Sequence, residues 1–213
     1  MTIKIIGPDY SIAVRRATIA LAEKGQTWEE APVDLFKGAH TTPEHLKIQP
    51  FGQVPVLEDS DHPGFTMFEA RAIARYVENK FKGQGVALFG SSPTESALVD
   101  TWLSVEQSNF DPPASTIAHE AILKAAFGGG GPDADIVAKA RVSFAKVLDV
   151  YEQRLSVVPY LAGEHFTFAD AVHLPSLALL EQAGAKDLID ARPHVKAWFD
   201  KITSRPTWVK INA

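Results

Sequence analysis

The chain has 213 residues, is 46% hydrophobic and 22% charged, and carries a net charge of −5. It is long enough for one large domain or two small ones, and its acidic balance lacks the electrostatic footprint of a nucleic-acid binder. No run of about 18 apolar residues predicts a membrane span, no basic-then-apolar leader predicts secretion, and the absence of cysteine excludes disulfides, thiolate metal sites and a cysteine nucleophile.

In chain order, Thr2–Ile6 is a short β-branched run stopped by Gly7-Pro8-Asp9 and predicts a strand. Ile12 to Lys24 carries Ile12, Val14, Ile19, Leu21 and Ala22 at helical spacing, with Ser11, a favoured capping type, at its first turn. Trp28 to Val33 predicts a second strand, Pro43 to Lys47 a short helical piece, and Val54 to Glu58 and Phe65 to Phe68 two strands joined by a turn-rich loop. Ala70 to Phe81 closes a β-α-β-α-β-β-α unit, a compact mixed sheet with helices. Within it, Pro55 has no N–H to give a ladder. If the Val54-Pro55 bond is cis, Val54 offers its main-chain N–H and C=O to an extended peptide, and Glu69 is placed to receive that peptide's amino end.

Gly83 to Ser91 reads as a linker, after which the texture turns wholly helical. Ser92-Pro93-Thr94-Glu95 is a helix start with a capping serine, proline first and glutamate third. That helix is predicted to reach about Phe127, kinked at Pro112-Pro113, where two donors are missing. Ala134 to Leu155 predicts a second long helix, Thr167 to Asp170 a capping box, Ala171 to Gln182 a buried helix, and His194 to Ile202 a last one. The domains are thus 1–82, a linker at 83–91, and 92–213.

Ser11-Ile12-Ala13-Val14-Arg15-Arg16, Gly38 with His40, Pro50 to Pro55, the Phe68-Glu69 and Arg71-Ala72-Ile73 flank, and Phe110 to Ser115 together resemble the phi class of glutathione transferases over nearly the whole chain. The resemblance implies an α+β, thioredoxin-like first domain with a mixed four-stranded sheet, followed by an all-α bundle. It implies a cytoplasmic homodimer with a role in detoxification, and glutathione as co-substrate without a metal. The glutathione thiolate would conjugate to hydrophobic electrophiles or reduce organic hydroperoxides. Relatives that form mixed disulfides through a cysteine are disfavoured, since this chain has none.

By resemblance, Ser11 donates a hydrogen bond to the glutathione sulfur, whose free pKa is about 8.5; the alternative is a plain helix cap. Glu69 takes the γ-glutamyl amine, the Ala70 N–H the adjacent carboxylate, Val54 pairs with the cysteinyl backbone, and Gln53 and His40 reach the carboxylates. A cleft between domains is expected to hold the electrophile, with Ile12, Leu35, His119, Leu123 and Phe127 as candidates; His119 reads equally as a surface histidine. Phe51 either anchors a second subunit or folds back on its own domain. Two positions depart from the class: Ala70 stands where serine is usual and Thr41 where lysine is usual. Their loss predicts glutathione binding weaker by ~1–3 kcal/mol together, with activity retained.

Competing uses are weaker. Ser11 lacks the Gly-x-Ser-x-Gly elbow of a hydrolase, His40 and His45 miss the i, i+4 spacing of a helical zinc site, and Gly128 to Gly131 lacks a phosphate-loop ending. Asp170 reads as a cap and Arg71 as an ion-pair residue. Other functions for the same fold are a non-catalytic carrier of hydrophobic ligands and a scaffold, the latter disfavoured by the joint presence of Ser11, Gln53, Val54 and Glu69.

Overall fold

A computed structural model describes residues 2–213 and divides them into a unit ending at Leu88 that also takes Lys210–Ala213, and a unit spanning Phe89–Val209. In the first unit the sheet order is β2-β1-β3-β4, formed by β1 (Ile3–Ile6), β2 (Trp28–Ala31), β3 (Val56–Asp59) and β4 (Thr66–Phe68). β1 and β2 are parallel, while β3 runs antiparallel to both β1 and β4. α1 (Ile12–Glu23) packs against α3 (Ala70–Lys80), and the one-turn α2 (Pro43–Leu46) precedes β3. Ile5, Leu57, Ile19 and Ile73 are among its fully buried side chains. The mixed four-stranded sheet with helices is the architecture expected.

Strand ends differ from the sequence reading by proline chemistry. β2 stops at Ala31 because Pro32 follows, and β3 starts at Val56 because Pro55 cannot donate to a ladder. Val54 therefore stands outside the strand. The segment after α3 is tied to the first unit: Lys24 Nζ, with its side chain 1% exposed, pairs with Glu78 at 3.2 Å and donates to the Val86 carbonyl. Glu78 in turn accepts the Leu88 N–H at 2.9 Å.

The second unit is helical. Ser92 caps α4 (Pro93–Val105), accepting the Glu95 N–H at 3.3 Å, as the start signal predicts. The helical path continues through α5 (Asp111–Ala118) and α6 (Lys124–Ala126). Before the proline pair, a π turn at Glu106–Phe110 leads into α5, and a second spans His119–Leu123. Pro112 and Pro113 cannot donate to the carbonyls four residues earlier, and the widened turn sits where those bonds would fall. α7 (Ala134–Leu155) matches its predicted bounds. The expected buried helix is two, α8 (Phe168–Ala171) and α9 (Leu174–Gln182), with Pro175 opening the second. α10 (Lys186–Asp190), α11 (Pro193–Thr203) and α12 (Pro206–Asn212) follow.

The capping box is present: Asp170 accepts from the Thr167 N–H and hydroxyl, the Leu161 N–H and Trp198 Nε1. Burial still holds its carboxyl above the ordinary range. Phe110, Phe144, Tyr151 and His173 pack as an aromatic cluster, with the Tyr151 hydroxyl 2.9 Å from His173 Nε2. Among the described residues no helix is long and apolar enough to cross a membrane.

Candidate active site

The β1–α1 turn carries Ser11. Its Oγ accepts the Val14 N–H at 3.5 Å, the long limit of a capping bond, and the residue is half-buried at the N-terminus of a 12-residue helix. A capping oxygen only accepts in this geometry, so the hydroxyl proton remains available to an acceptor outside the helix. Helix amides and a hydroxyl thus point toward the same place, favouring an anion there.

Val54 lies beside this turn. The Val54-Pro55 bond is cis, and among the described residues the Val54 N–H and C=O take no main-chain partner. Gly7, at φ +145°, explains the close approach: a Cβ there would stand 2.6 Å from Val14 Cγ2 and 3.0 Å from Val54 Cβ. Only glycine lets the two segments meet at that distance.

Strand register brings the rest to the same end of the sheet. Ile6 pairs with Val56 and Val56 with Phe68, so Val54, two residues before Val56, and Glu69, next after Phe68, lie at the same end of the sheet. Glu69 is exposed and holds φ +71°, a left-handed conformation rare for its residue type. Its carboxylate makes no capping bond. Ala70, 5% exposed, opens α3, so its N–H is among the donors without an intrahelical acceptor.

His40 sits on the loop that wraps this end. Its main-chain oxygen is 3.3 Å from where a Cβ on Gly52 would be, and Nδ1 is buried without a partner among the described residues. Gln53 is exposed, and its carbonyl accepts a 2.7 Å bond from His45 Nε2. Thr41 spends its hydroxyl on the Gly38 carbonyl. Ser11, Gln53, Val54, Glu69 and Ala70 thus gather at one sheet end, with His40 on the adjoining loop.

Of the electrophile candidates, Ile12 and Leu35 are half-buried in the first unit. Near them a concavity of about 510 Å³ opens between the β1–α1 turn and the segment after β2, lined by Gly7, Tyr10, Val33 and Phe36 among others. Tyr10 and Phe36 are largely exposed, their rings 6.1 Å apart. In the second unit, His119 is exposed and 3.6 Å from Glu120, Leu123 is half-buried, and Phe127 ends α6 at 53% exposure. Phe51 is 71% exposed, yet its ring meets Phe68 edge-on at 6.2 Å. No cluster of His, Asp or Glu among the described residues is arranged to hold a metal.

Sequence reasoning passed over several residues here. His45 and Gln49, 7% and 2% exposed, hold the loop before Pro55; a polar residue on the inner side of a one-turn helix carries no periodic signal. Tyr10 and Phe36 adjoin Ser11 and Leu35 in sequence, but their exposure and pairing appear only once the parallel β1–β2 register is known.

A family model described as the glutathione S-transferase N-terminal domain matches residues 5–79, and one for the C-terminal domain matches residues 110–206. The chain is 40% identical to glutathione S-transferase F10 of Arabidopsis thaliana, over 100% of this chain and 97% of that protein. The crystal structure of glutathione transferase F7 from Populus trichocarpa superposes with a TM-score of 0.94 at 39% identity, covering 99% of this chain and 98% of that one. Glutathione S-transferase I from mais, solved in complex with an atrazine glutathione conjugate, aligns with a TM-score of 0.89 at 33% identity, covering 99% and 96%.

Proposed function

The chain belongs to the glutathione S-transferase family, in its phi class, and from that premise we propose that it joins the thiolate of glutathione to apolar electrophiles, with Ser11 holding the sulfur ionised. The Ser11 hydroxyl donates to the sulfur, and the α1 N-terminus adds favourable potential. The thiol proton passes to solvent, the S–C bond forms, and the leaving group departs with its electron pair. Toward an organic hydroperoxide the same thiolate takes the terminal oxygen, giving an alcohol and glutathione sulfenic acid, which a second glutathione converts to disulfide and water.

Glutathione lies extended along Val54 in this reading. Glu69 meets its amine, the Ala70 N–H meets the neighbouring carboxylate, and Gln53 and His40 meet the remaining carboxylate. The exposed Tyr10–Phe36 pair, with Ile12 and Leu35, offers an apolar wall for the electrophile. The cysteine-free composition suits a reducing compartment, so the cytoplasm is the proposed location. A homodimer is the proposed assembly.

The observation that carries the reading is the convergence of Val54's unpaired main chain, a hydroxyl at a helix N-terminus, and the Glu69–Ala70 step at one sheet end. Turnover of a chlorinated dinitrobenzene with glutathione tests it. Ser11→Ala is expected to lower kcat about ten- to a hundredfold, the worth of one hydrogen bond to a charged group, and to raise the pKa of the bound thiol. Equal activity in both proteins would remove Ser11 from the chemistry. An inactive parent that binds an apolar dye tightly would favour a ligand carrier.

A further inference from the structure

We infer that His45 is a positioning residue for glutathione, acting through the Gln53–Val54 peptide plane. The inference rests on the glutathione-binding reading of Val54 given above. His45 is 7% exposed and its Nε2 stands 2.7 Å from the Gln53 carbonyl oxygen. A carbonyl only accepts, so Nε2 carries the proton. That carbonyl and the Val54 N–H belong to one peptide unit, and the bond joining them is trans. In a trans peptide the C=O and N–H point in opposite directions within one plane. Fixing the Gln53 oxygen on His45 therefore fixes the direction in which Val54 presents its N–H.

The main chain that carries the imidazole is itself held. Thr42 Oγ1 accepts the His45 N–H at 3.4 Å, and the His45 carbonyl receives the Gln49 N–H at 2.9 Å. Gln49 Oε1 accepts the Phe51 N–H at 2.7 Å, and the Gln49 carbonyl accepts that of Gly52 at 3.0 Å. The bend at 49–52 is thus secured by its own bonds. The His45 bond adds the orientation of the next plane, the one whose N–H would meet the cysteinyl carbonyl of glutathione.

The test compares the parent with His45→Gln, His45→Asn and His45→Leu in steady-state turnover, varying glutathione and electrophile separately. The terminal amide nitrogen of glutamine lies as many bonds from Cβ as the imidazole Nε2 and can donate in its place, whereas that of asparagine is one bond too short. His45→Gln is expected to keep KM for glutathione within about threefold of the parent. The Asn and Leu variants are expected to raise it tenfold or more, with KM for the electrophile unchanged. A merely structural histidine would instead lower the thermal midpoint in all three, with no rescue specific to glutamine. Equal KM for glutathione in the Gln and Asn variants would overturn the inference, even if the Leu variant does not fold. The amide resonance of Val54 in the parent separates the two levels. If added glutathione leaves it unshifted, the site reading falls and this inference with it. If it shifts while the Asn and Leu variants bind glutathione as the parent does, the inference falls alone.

Discussion

At Ala70 the first turn of α3 has a main-chain N–H with no hydroxyl beside it for the carboxylate proposed to bind there. Ala70→Ser is therefore expected to lower KM for glutathione about two- to tenfold, the worth of one added neutral hydrogen bond. Kinetics at fixed electrophile measure it; an unchanged KM would mean that the carboxylate binds elsewhere. Glu69, next to it, holds its positive-φ backbone at a cost of about 1–3 kcal/mol, and its carboxylate makes no capping bond to the helix it begins. Residues of this kind were legible in the sequence because their signals are local: Ser11 precedes an apolar period, and Pro55 forbids a ladder bond to its own position. His45 was not legible. Its partner lies eight residues away across an irregular loop, where neither periodicity nor capping rules reach.

Elements in this chain are fastened at their ends by charged groups. Asp59, at the end of β3 with no exposed side-chain surface, accepts from Lys80 at 2.7 Å and from the Tyr76 hydroxyl, both on α3. Burial alone would raise its pKa, but the Lys80 and Tyr76 hydrogen bonds outweigh that and hold it below the ordinary range. Tyr76 is pushed up to about 12, by burial first and then by Asp59, so it remains a donor. The unfolded value for aspartate is about 3.9. Stability from Asp59 is thus complete above that pH and is lost as pH falls through the lower folded value. Asp59→Asn is expected to lower stability at pH 7 and to flatten its decline below pH ~4, as read by denaturant midpoints across acid pH. Element types were legible from apolar spacing and caps. The π turns were not, because prolines announce missing donors without saying whether the helix bends or widens around them.

For the molecule as a whole, the reading of a mixed-sheet unit followed by a helical one was available from the change of texture near Gly83. What composition could not show is that Val86 to Leu88 is fastened to the first unit through the buried Lys24–Glu78 pair. Lys24→Met leaves Glu78 buried without its cation and is expected to cost about 3–5 kcal/mol, measured by urea unfolding. The proposed homodimer is expected to dissociate more readily in Phe51→Ala, read by sedimentation over a concentration series; an unchanged dimer constant would exclude Phe51 as its anchor. The grouping of Lys210–Ala213 with the first unit has a consequence for chimeras. Arg15 Nη1 on α1 donates to Asn212 Oδ1 at 2.8 Å, across 197 positions of sequence. A crossover at Leu88 between two family members would take α1 from one parent and the partner of Arg15 from the other. A recombinant that respects this fold needs two crossovers, the second just before Lys210, so that both ends of that bond descend from the same parent.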